Sequence, residues 1–213
     1  MVYTNFKIGF SYFCDRPVKS LKMLETFYQD QTFNQNDLDK KPLEKGEYEN
    51  CLFQNCNFTE YNLSEFKFLD CDFVDCNLSL AILNGTAFRT VRLKDCKMLG
   101  LQFDNCNDFG LAFSFNNCQL NHSVFFQLKI KKTNFKNCQL HETDFSEADL
   151  SNANFEDCDL SQAVFQNTNL EKADFRNAFN YSIDPESNNI KGAKFHLAEV
   201  SGLLTKYKIQ IDI

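Results

Sequence analysis

A large apolar residue recurs at every fifth position through the second half of this chain. Over the segment 115–175 the series has no break: Phe115, Leu120, Phe125, Ile130, Phe135, Leu140, Phe145, Leu150, Phe155, Leu160, Phe165, Leu170 and Phe175. A helix repeats about every 3.6 residues and a strand every two, so neither period produces this series. A short fixed period is the signature of a solenoid, in which each repeat packs on the next.

The residue types in this series predict how many steps make one coil. Phe alternates with Leu or Ile, so the same chemistry returns only at every second step. Four steps per coil would stack like residues on like, whereas three would stack Phe on Leu. Cys118, Cys138 and Cys158 recur once in every four steps and agree with the even number. We therefore expect an all-β solenoid with four short sides and about 20 residues per coil.

The first half of the chain follows the same period until its phase slips by two residues within 104–114. Either one two-residue insertion or two single-residue bulges explains the slip, and Phe109 fills the missing apolar position best if there are two bulges. With the slip corrected, two stacks of predicted core residues run the length of the rod. One is a cysteine ladder and the other a stack of nine large residues: Cys56, Cys76, Cys96, Cys118, Cys138 and Cys158, and Phe33, Phe53, Phe73, Leu93, Phe115, Phe135, Phe155, Phe175 and Phe195.

These steps resemble the unit of the pentapeptide-repeat family, Ala-(Asp/Asn)-Leu-X-X, which the segments 148–152 and 173–177 match closely. The resemblance covers roughly residues 33–195. It implies a right-handed quadrilateral β-helix in which the central residue and the residue two before it point inward. With eight spacings of about 4.8 Å, such a rod is on the order of 38 Å long.

Both ends of the chain depart from the period. Residues 1–30 are expected to form an N-terminal extension or cap, with a strand-like alternation over 5–13 and an amphipathic helix over 17–28. Alternatively, Met23 is the natural start. The β-helix is expected over 31–195, with its irregularity at 104–114, followed by a C-terminal cap over 196–213.

The C-terminal cap combines a helical pattern with a strand-like one. It resembles the closing segment of the quinolone-resistance (Qnr) branch of the family, which joins two rods end to end. That resemblance implies a homodimer through this tail. The candidate interface consists of Leu197, Val200, Leu203, Leu204 and Tyr207 on one predicted helix face, followed by Ile209 and Ile211 in a predicted strand that also includes Ile213.

The composition narrows the protein class. No run of about 18 apolar residues is present, so we expect no transmembrane helix and no membrane partner. Nine of the 10 cysteines occupy the small inward position, which favours buried, reduced thiols and a cytoplasmic protein. Adjacent coils about 4.8 Å apart lie within disulfide range, so distance alone leaves bridging open.

The chain contains no enzyme motif: no nucleophile elbow, no phosphate-binding glycine loop and no Cys-x-x-Cys. The cysteine ladder indicates a structural core rather than a metal site. His122 and His141 are expected one coil apart on one face, where ordinary solvated side chains explain them best. We therefore predict no catalytic residues, no cofactor and no metal.

The charge is segregated along the rod. The net charge of −7 lies entirely within residues 48–178, which hold 18 acids and 11 bases. A basic patch is expected near the middle, from Lys129, Lys131, Lys132 and Lys136, with Arg89 and Lys94 two coils away. The candidate acidic interaction surface follows it: Glu142, Asp144, Glu147, Asp149, Glu156, Asp157, Asp159, Glu171 and Asp174.

The resemblance to Qnr proteins implies one use for an acidic rod, namely imitating duplex DNA to bind DNA gyrase or topoisomerase IV. Duplex DNA of about 38 Å would carry about 22 phosphates, however, against a net charge of −7 here. The Asp residues also occupy the repeat's own Asp/Asn position, where turn formation explains them. Qnr proteins also project two sizeable loops, whereas this chain has at most two extra residues.

The alternative function is that of a structural or regulatory scaffold with another partner. Direct nucleic-acid binding is disfavoured by a pI of about 5.0.

Overall fold

The computed structural model describes residues 26–211, which form short strands, one helix and three 3-10 helices. The strands are β1 (Thr26–Gln29), β2 (Thr32–Asn34), β3 (Gly46–Glu49), β4 (Leu52–Gln54), β5 (Lys67–Leu69), β6 (Asp72–Val74), β7 (Ala87–Arg89), β8 (Val91–Lys94), β9 (Phe113–Asn116), β10 (Asn134–Lys136), β11 (Asn154–Glu156), β12 (Asp174–Phe175) and β13 (Lys194–Phe195). Helix α1 is Gln35–Lys40, and the 3-10 helices are Phe103–Asn105, Leu197–Leu203 and Thr205–Tyr207.

The strands pair in parallel with the strand one coil away. Nine of them form one sheet from β2 to β13, and β1, β3, β5 and β7 form a second. The partners of Asn134 are Asn154 on one side and Ser114 on the other, so four steps of the repeat separate paired residues. Isolated bridges such as Gln119 with Gln139 repeat this register on the remaining sides. The predicted four-sided coil, with about 20 residues in each turn, is confirmed.

Each side of the rod is named here after its stack of central residues. The first face contains Phe115 and Phe135, the second Leu120 and Leu140, the third Phe125 and Phe145, and the fourth Ile130 and Leu150. All eight side chains are buried. The rod therefore has a single core that runs along its axis, with every second side chain of a face directed to solvent.

A tight turn forms the corner between two faces. At one corner the Ala148 N–H donates to the Phe145 carbonyl at 3.1 Å, and Glu147 adopts a left-handed φ of 58°. The Asp144 carboxylate accepts from the Ser146 N–H at 2.8 Å. The Asp/Asn position of the repeat thus stabilises the corner through a local side-chain hydrogen bond.

The core consists of rings that stack along the rod and meet edge-on across it. Phe135 lies 5.0 Å from Phe155 with the ring planes 4° apart, and 5.9 Å from Phe145 at 79°. Both arrangements are favourable for aromatic quadrupoles. The stacking of Phe on Phe therefore stabilises the core by more than the burial of apolar area alone would do.

The small inward position accepts a hydroxyl or thiol because the coil before it supplies an acceptor. The Thr168 hydroxyl donates to the Phe145 carbonyl at 2.9 Å, and the Cys158 thiol to the Phe135 carbonyl at 3.4 Å. The nine cysteines within the described residues are all buried and free. Burial raises the pKa of Cys106, and a protonated buried thiol is chemically inert.

The irregular segment contains one loop, so of the two alternatives the single two-residue insertion is the one found, and Phe109 does not fill the apolar position. The Asn107 N–H still donates to the Thr86 carbonyl at 2.9 Å, 21 residues back as in the regular coils. Val91, however, pairs with Phe113, 22 residues on instead of 20. The two extra residues therefore lie between these points. Phe109 is 74% exposed, and Phe113 packs against Phe88 at 5.6 Å instead. Phe113 sits where the repeat normally has a small residue, so its ring extends into the space that Phe109 leaves.

The predicted helix over 17–28 was also wrong where it can be judged. Thr26–Gln29 is a strand that pairs with Gly46–Glu49, and Tyr28 stacks on Tyr48 at 4.8 Å. Coil structure thus begins ahead of the expected boundary at residue 31. The expectations for 5–13, for the rest of 17–28 and for Met23 lie outside the described residues.

The C-terminal tail docks on the last coil, which is distorted at Asn180 and Pro185. Tyr181 and Ile183 take the buried positions there, and the Ile183 N–H donates to the Gly202 carbonyl at 3.0 Å. A Cβ at Gly202 would lie 2.3 Å from the Tyr181 carbonyl oxygen, so glycine is required for this approach.

The tail differs from its predicted secondary structure. It forms 3-10 turns, and its apolar residues do not share one helix face. Leu203 packs against the core, whereas Leu197 faces solvent. Residues 209–211 are not in a strand, and Ile213 lies outside the described residues. In the described part of the chain, no helix is long and apolar enough to cross a membrane.

Thr90 tests the cost of the corner conformation. It is an exposed β-branched residue at a left-handed φ of 58°, whereas Asn152 occupies the same conformation with φ 60°. Since Asn tolerates this region and β-branched residues do not, Thr90→Asn should raise the free energy of unfolding by about 1 kcal/mol. The reverse change, Asn152→Thr, should lower it by a similar amount. Urea unfolding measures both, and equal stability of the two variants would contradict this explanation.

Candidate interaction surfaces

The nine residues of the candidate acidic surface are distributed around the whole rod. Strand pairing and isolated bridges place Glu156 and Asp174 on the first face, Asp159 on the second, Asp144 on the third and Asp149 on the fourth. Glu142, Glu147 and Asp157 lie at corners with a left-handed φ, and Glu171 directly follows the central residue Leu170 of the fourth face. They are contiguous in sequence, but the coil separates them onto different sides.

Most of these carboxylates also have partners within the rod. Asp149 accepts from the Ser151 N–H at 3.1 Å and from the Asn169 amide at 3.0 Å, and the Lys131 ammonium lies 3.1 Å away. Glu156 is bonded to Lys136, Glu147 to Gln127, and Asp174 to Arg176 and Lys194. The contacts with Lys131, Asn169, Lys136, Gln127 and Lys194 join neighbouring coils, and those with Ser151 and Arg176 are local. All of them reduce the charge that a partner would meet.

The turn carboxylates are stabilised in their ionised form. Partial burial alone would raise the pKa of Asp149, but its bonds with Ser151, Lys131 and Asn169 lower it below the ordinary value. The pKa of Asp159 is lowered in the same way by Ser161 and Asn180, against the effect of its burial. The guanidinium of Arg176 lowers the pKa of Asp174. Their first role is therefore structural.

The predicted basic patch spans two faces. Arg89, Lys129 and Lys131 lie on the fourth face, whereas Lys94 and Lys136 lie on the first. Lys132 lies at the corner between them, where its φ is 61°. Arg92 joins the patch from β8, with its guanidinium 2.8 Å from Asp72 in the coil before.

His122 and His141 lie side by side, as their spacing predicted, with ring centroids 5.9 Å apart. The Nδ1 atoms of both rings approach the Glu142 carboxylate, at 3.3 Å and 3.5 Å. Across residues 26–211, no cluster of three or more His, Cys, Asp or Glu side chains is arranged to hold a metal ion.

The exposed Phe109 is the surface feature that sequence reasoning missed. It lies in the loop 108–111, with the Arg89 guanidinium carbon 5.2 Å from its ring centroid. The Arg89 Nε–H also donates to the Phe109 carbonyl at 3.4 Å. The large Phe113 at a position reserved for small residues was the available signal that Phe109 is displaced.

The tail presents most of the candidate dimer residues to solvent. Leu197 is 84% exposed, and Val200, Tyr207, Ile209 and Ile211 are also exposed, while Leu203 and Leu204 are partly buried. The tail is fixed to the last coil by polar contacts, including Lys206 with Asp184 at 2.7 Å and Tyr207 with Glu186 at 2.9 Å. Several apolar side chains thus share one rigid end of the rod.

Comparisons with known proteins agree with this architecture. A family model described as a pentapeptide repeat region matches residues 47–125, 102–175 and 128–203. No curated protein sequence matches the chain. Trypsin-treated QnrB1, a plasmid-mediated fluoroquinolone resistance protein, superposes with a TM-score of 0.57 at 16% identity, covering 88% of this chain and 98% of that one.

Two further solved structures are more weakly similar. Full-length QnrB1 has a TM-score of 0.47 at 17% identity and covers 86% of this chain and 97% of its own. HetL, a protein of the cyanobacterium Nostoc involved in heterocyst differentiation regulation, has a TM-score of 0.29 at 15% identity, with coverages of 81% and 85%. At these identities the likeness concerns the fold alone.

The lowered pKa values predict how stability depends on pH. A carboxylate whose pKa is lower in the folded state stabilises the fold above its unfolded pKa, and this contribution is lost as pH falls through the folded value. Stability should therefore decrease as pH drops below about 4. In the variant Asp149→Asn/Asp159→Asn, the urea midpoint should change less between neutral pH and about pH 3.

The matched control for this experiment is Asp108→Asn, an exposed carboxylate in the loop 108–111. It should retain the acid sensitivity of the unmodified protein. An equal loss of stability in the double variant and the control would show that the turn carboxylates are not responsible.

Proposed function

This chain belongs to the pentapeptide-repeat family, and from that premise we propose that it is a non-enzymatic, cytoplasmic protein that acts through protein–protein contacts. The observation that carries the proposal is the rigid display of side chains on the rod. Successive coils hold exposed rows in a fixed register, and the C-terminal end exposes apolar side chains such as Leu197. Rows of this kind suit extended binding surfaces.

The first contact we propose is with a second copy, through the candidate dimer residues of the tail. Leu197, Tyr207, Ile209 and Ile211 are each at least half exposed, at 84%, 52%, 56% and 50%. Exposed apolar patches on soluble proteins commonly mark interaction sites. A two-fold contact buries the same patch on both copies, so each exposed residue contributes its apolar area to the interface twice.

Sedimentation tests this dimer. The protein of 24.8 kDa should sediment at about twice that mass, and Leu197→Asp/Ile209→Asp should be monomeric because two charges would be buried at the interface. Val164→Asp is the matched control, since Val164 is 45% exposed on the coils rather than on the tail. A monomeric unmodified protein, or equal dissociation by the control, would contradict the assignment.

The second contact is with a partner along the coils, and a type II topoisomerase is the specific candidate. Its support is the likeness in fold to QnrB1, whose name records fluoroquinolone resistance, together with the acidic C-terminal half. Two observations weigh against DNA mimicry. The acids lie on four faces, and many are paired with neighbours in the rod. A scaffold with another protein partner is the alternative.

Gyrase supercoiling, measured with and without a fluoroquinolone, distinguishes these functions. A DNA mimic should inhibit gyrase or relieve the drug, and the effect should fade as salt rises because exposed charges are screened. Since the acids are on separate faces, a partner that contacts one face should respond unequally to two double variants. Glu156→Gln/Asp174→Asn removes charge from the first face, and Asp144→Asn/Glu147→Gln removes it near the third. One of them should weaken the effect on gyrase more than the other. No effect at high protein excess would exclude gyrase and leave the scaffold.

A further inference from the structure

One coil in the middle of the rod is uncharged and lies between two coils that carry cations on their first and fourth faces. Residues 109–128 contain no Asp, Glu, Lys or Arg. We call the cations on the first and fourth faces of the two flanking coils, and at the corner between those faces, the basic belt. It consists of Arg89, Arg92 and Lys94 on the preceding coil and Lys129, Lys131, Lys132 and Lys136 on the following one.

The register aligns these cations in pairs across the uncharged coil. Lys94 pairs with Asn116, which pairs with Lys136, so two long side chains flank a neutral position on the first face. Arg89 and Lys131 lie on the fourth face of the two flanking coils, with the loop 108–111 between them. Two coil spacings amount to about 10 Å, and both side chains of a pair can therefore reach one anion placed between them.

The acids that pair with the belt lie mostly on its outer sides. Arg92 contacts Asp72 in the coil before, and Lys131 and Lys136 contact Asp149 and Glu156 in the coil after. Inside the belt, Lys94 lies 3.7 Å from Asp95, and Asp108 is exposed in the loop. Lys129 and Lys132 are exposed as well. An excess of positive charge therefore faces the uncharged coil.

Phe109 adds an apolar anchor at one end of this coil. Its exposed ring is kept in place by Arg89 and by its own N–H, which donates to Asn107 at 3.0 Å. Aromatic and Arg side chains dominate the binding energy of protein interfaces. A fixed aromatic ring beside several cations thus combines an apolar contact with carboxylate recognition.

We propose that the basic belt binds a short acidic segment of a partner protein, with carboxylates between the paired cations and an apolar side chain on Phe109. This rests on the proposed binding function and assigns it a surface and a partner chemistry. Asp72 and Asp149 on either side would repel the phosphates of a longer polyanion.

The experiment selects binders from a displayed library of random dodecapeptides against the full chain. The selected peptides should contain two or more acids and a large apolar residue. The belt variant Arg89→Gln/Lys94→Gln/Lys132→Gln and the variant Phe109→Ala should each weaken their affinity about tenfold or more, as expected for hot-spot residues. All of these side chains are at the surface, and thermal unfolding confirms that the variants fold.

The matched control is Lys45→Gln/Lys172→Gln/Lys191→Gln, which removes the same charge at exposed positions away from the belt and should leave affinity unchanged. Acidic peptides that bind the belt variant as well as the original chain would overturn this proposal while leaving the binding function intact. Failure to select any peptide would count against both. Titration with a labelled thymidine 20-mer tests nucleic acid as the alternative ligand. Belt-dependent binding of this oligonucleotide, without belt-dependent binding of peptides, would overturn the proposal and assign the belt to nucleic acid.

Discussion

The parallel pairing of each coil with the next, at a constant register, is the constraint on which the rest of this structure depends. Backbone bonds set the spacing between coils at about 4.8 Å, and a register of one full coil places chemically equivalent side chains directly above one another. Rings can then stack, as Phe135 does on Phe155, and hydroxyls or thiols in the small position reach a carbonyl of the preceding coil. The same ring stacking and the same hydrogen bonds to the preceding coil therefore recur in every coil.

The same register organises the surface. An exposed side chain meets the equivalent residue one coil away, so ion pairs such as Lys136 with Glu156 run along the rod. Charges that are neighbours in sequence, by contrast, turn onto different faces with each step of the repeat. A run of acids in the sequence is therefore a ring around the rod rather than a stripe, which weakens the case for an extended DNA-like surface and leaves the basic belt as a compact feature.

The fold was predictable in unusual detail because a short period leaves few solutions. The coil length, the cysteine ladder and the stack of large residues follow from residue types that recur once per coil. The surfaces were predictable only in part. Lys94 and Lys136 were placed in one row, but the sequence did not indicate that Phe109 leaves the core, since an apolar residue at roughly the right spacing normally points inward. Nor did it indicate that Leu203 and Leu197 face opposite ways, because 3-10 turns rotate side chains differently from a regular helix.

The sequence by itself determined the repeat, the number of sides and the identity of the core, because every coil must present the same shape to its neighbours. Only the tertiary structure decided where the exceptions go. Phe113 competes with Phe109 for one inward space and fills it, and Tyr181 and Ile183 replace the missing apolar centres where the tail docks. Such choices depend on which side chain fills a particular volume, and that volume exists only once the neighbouring coils are in place.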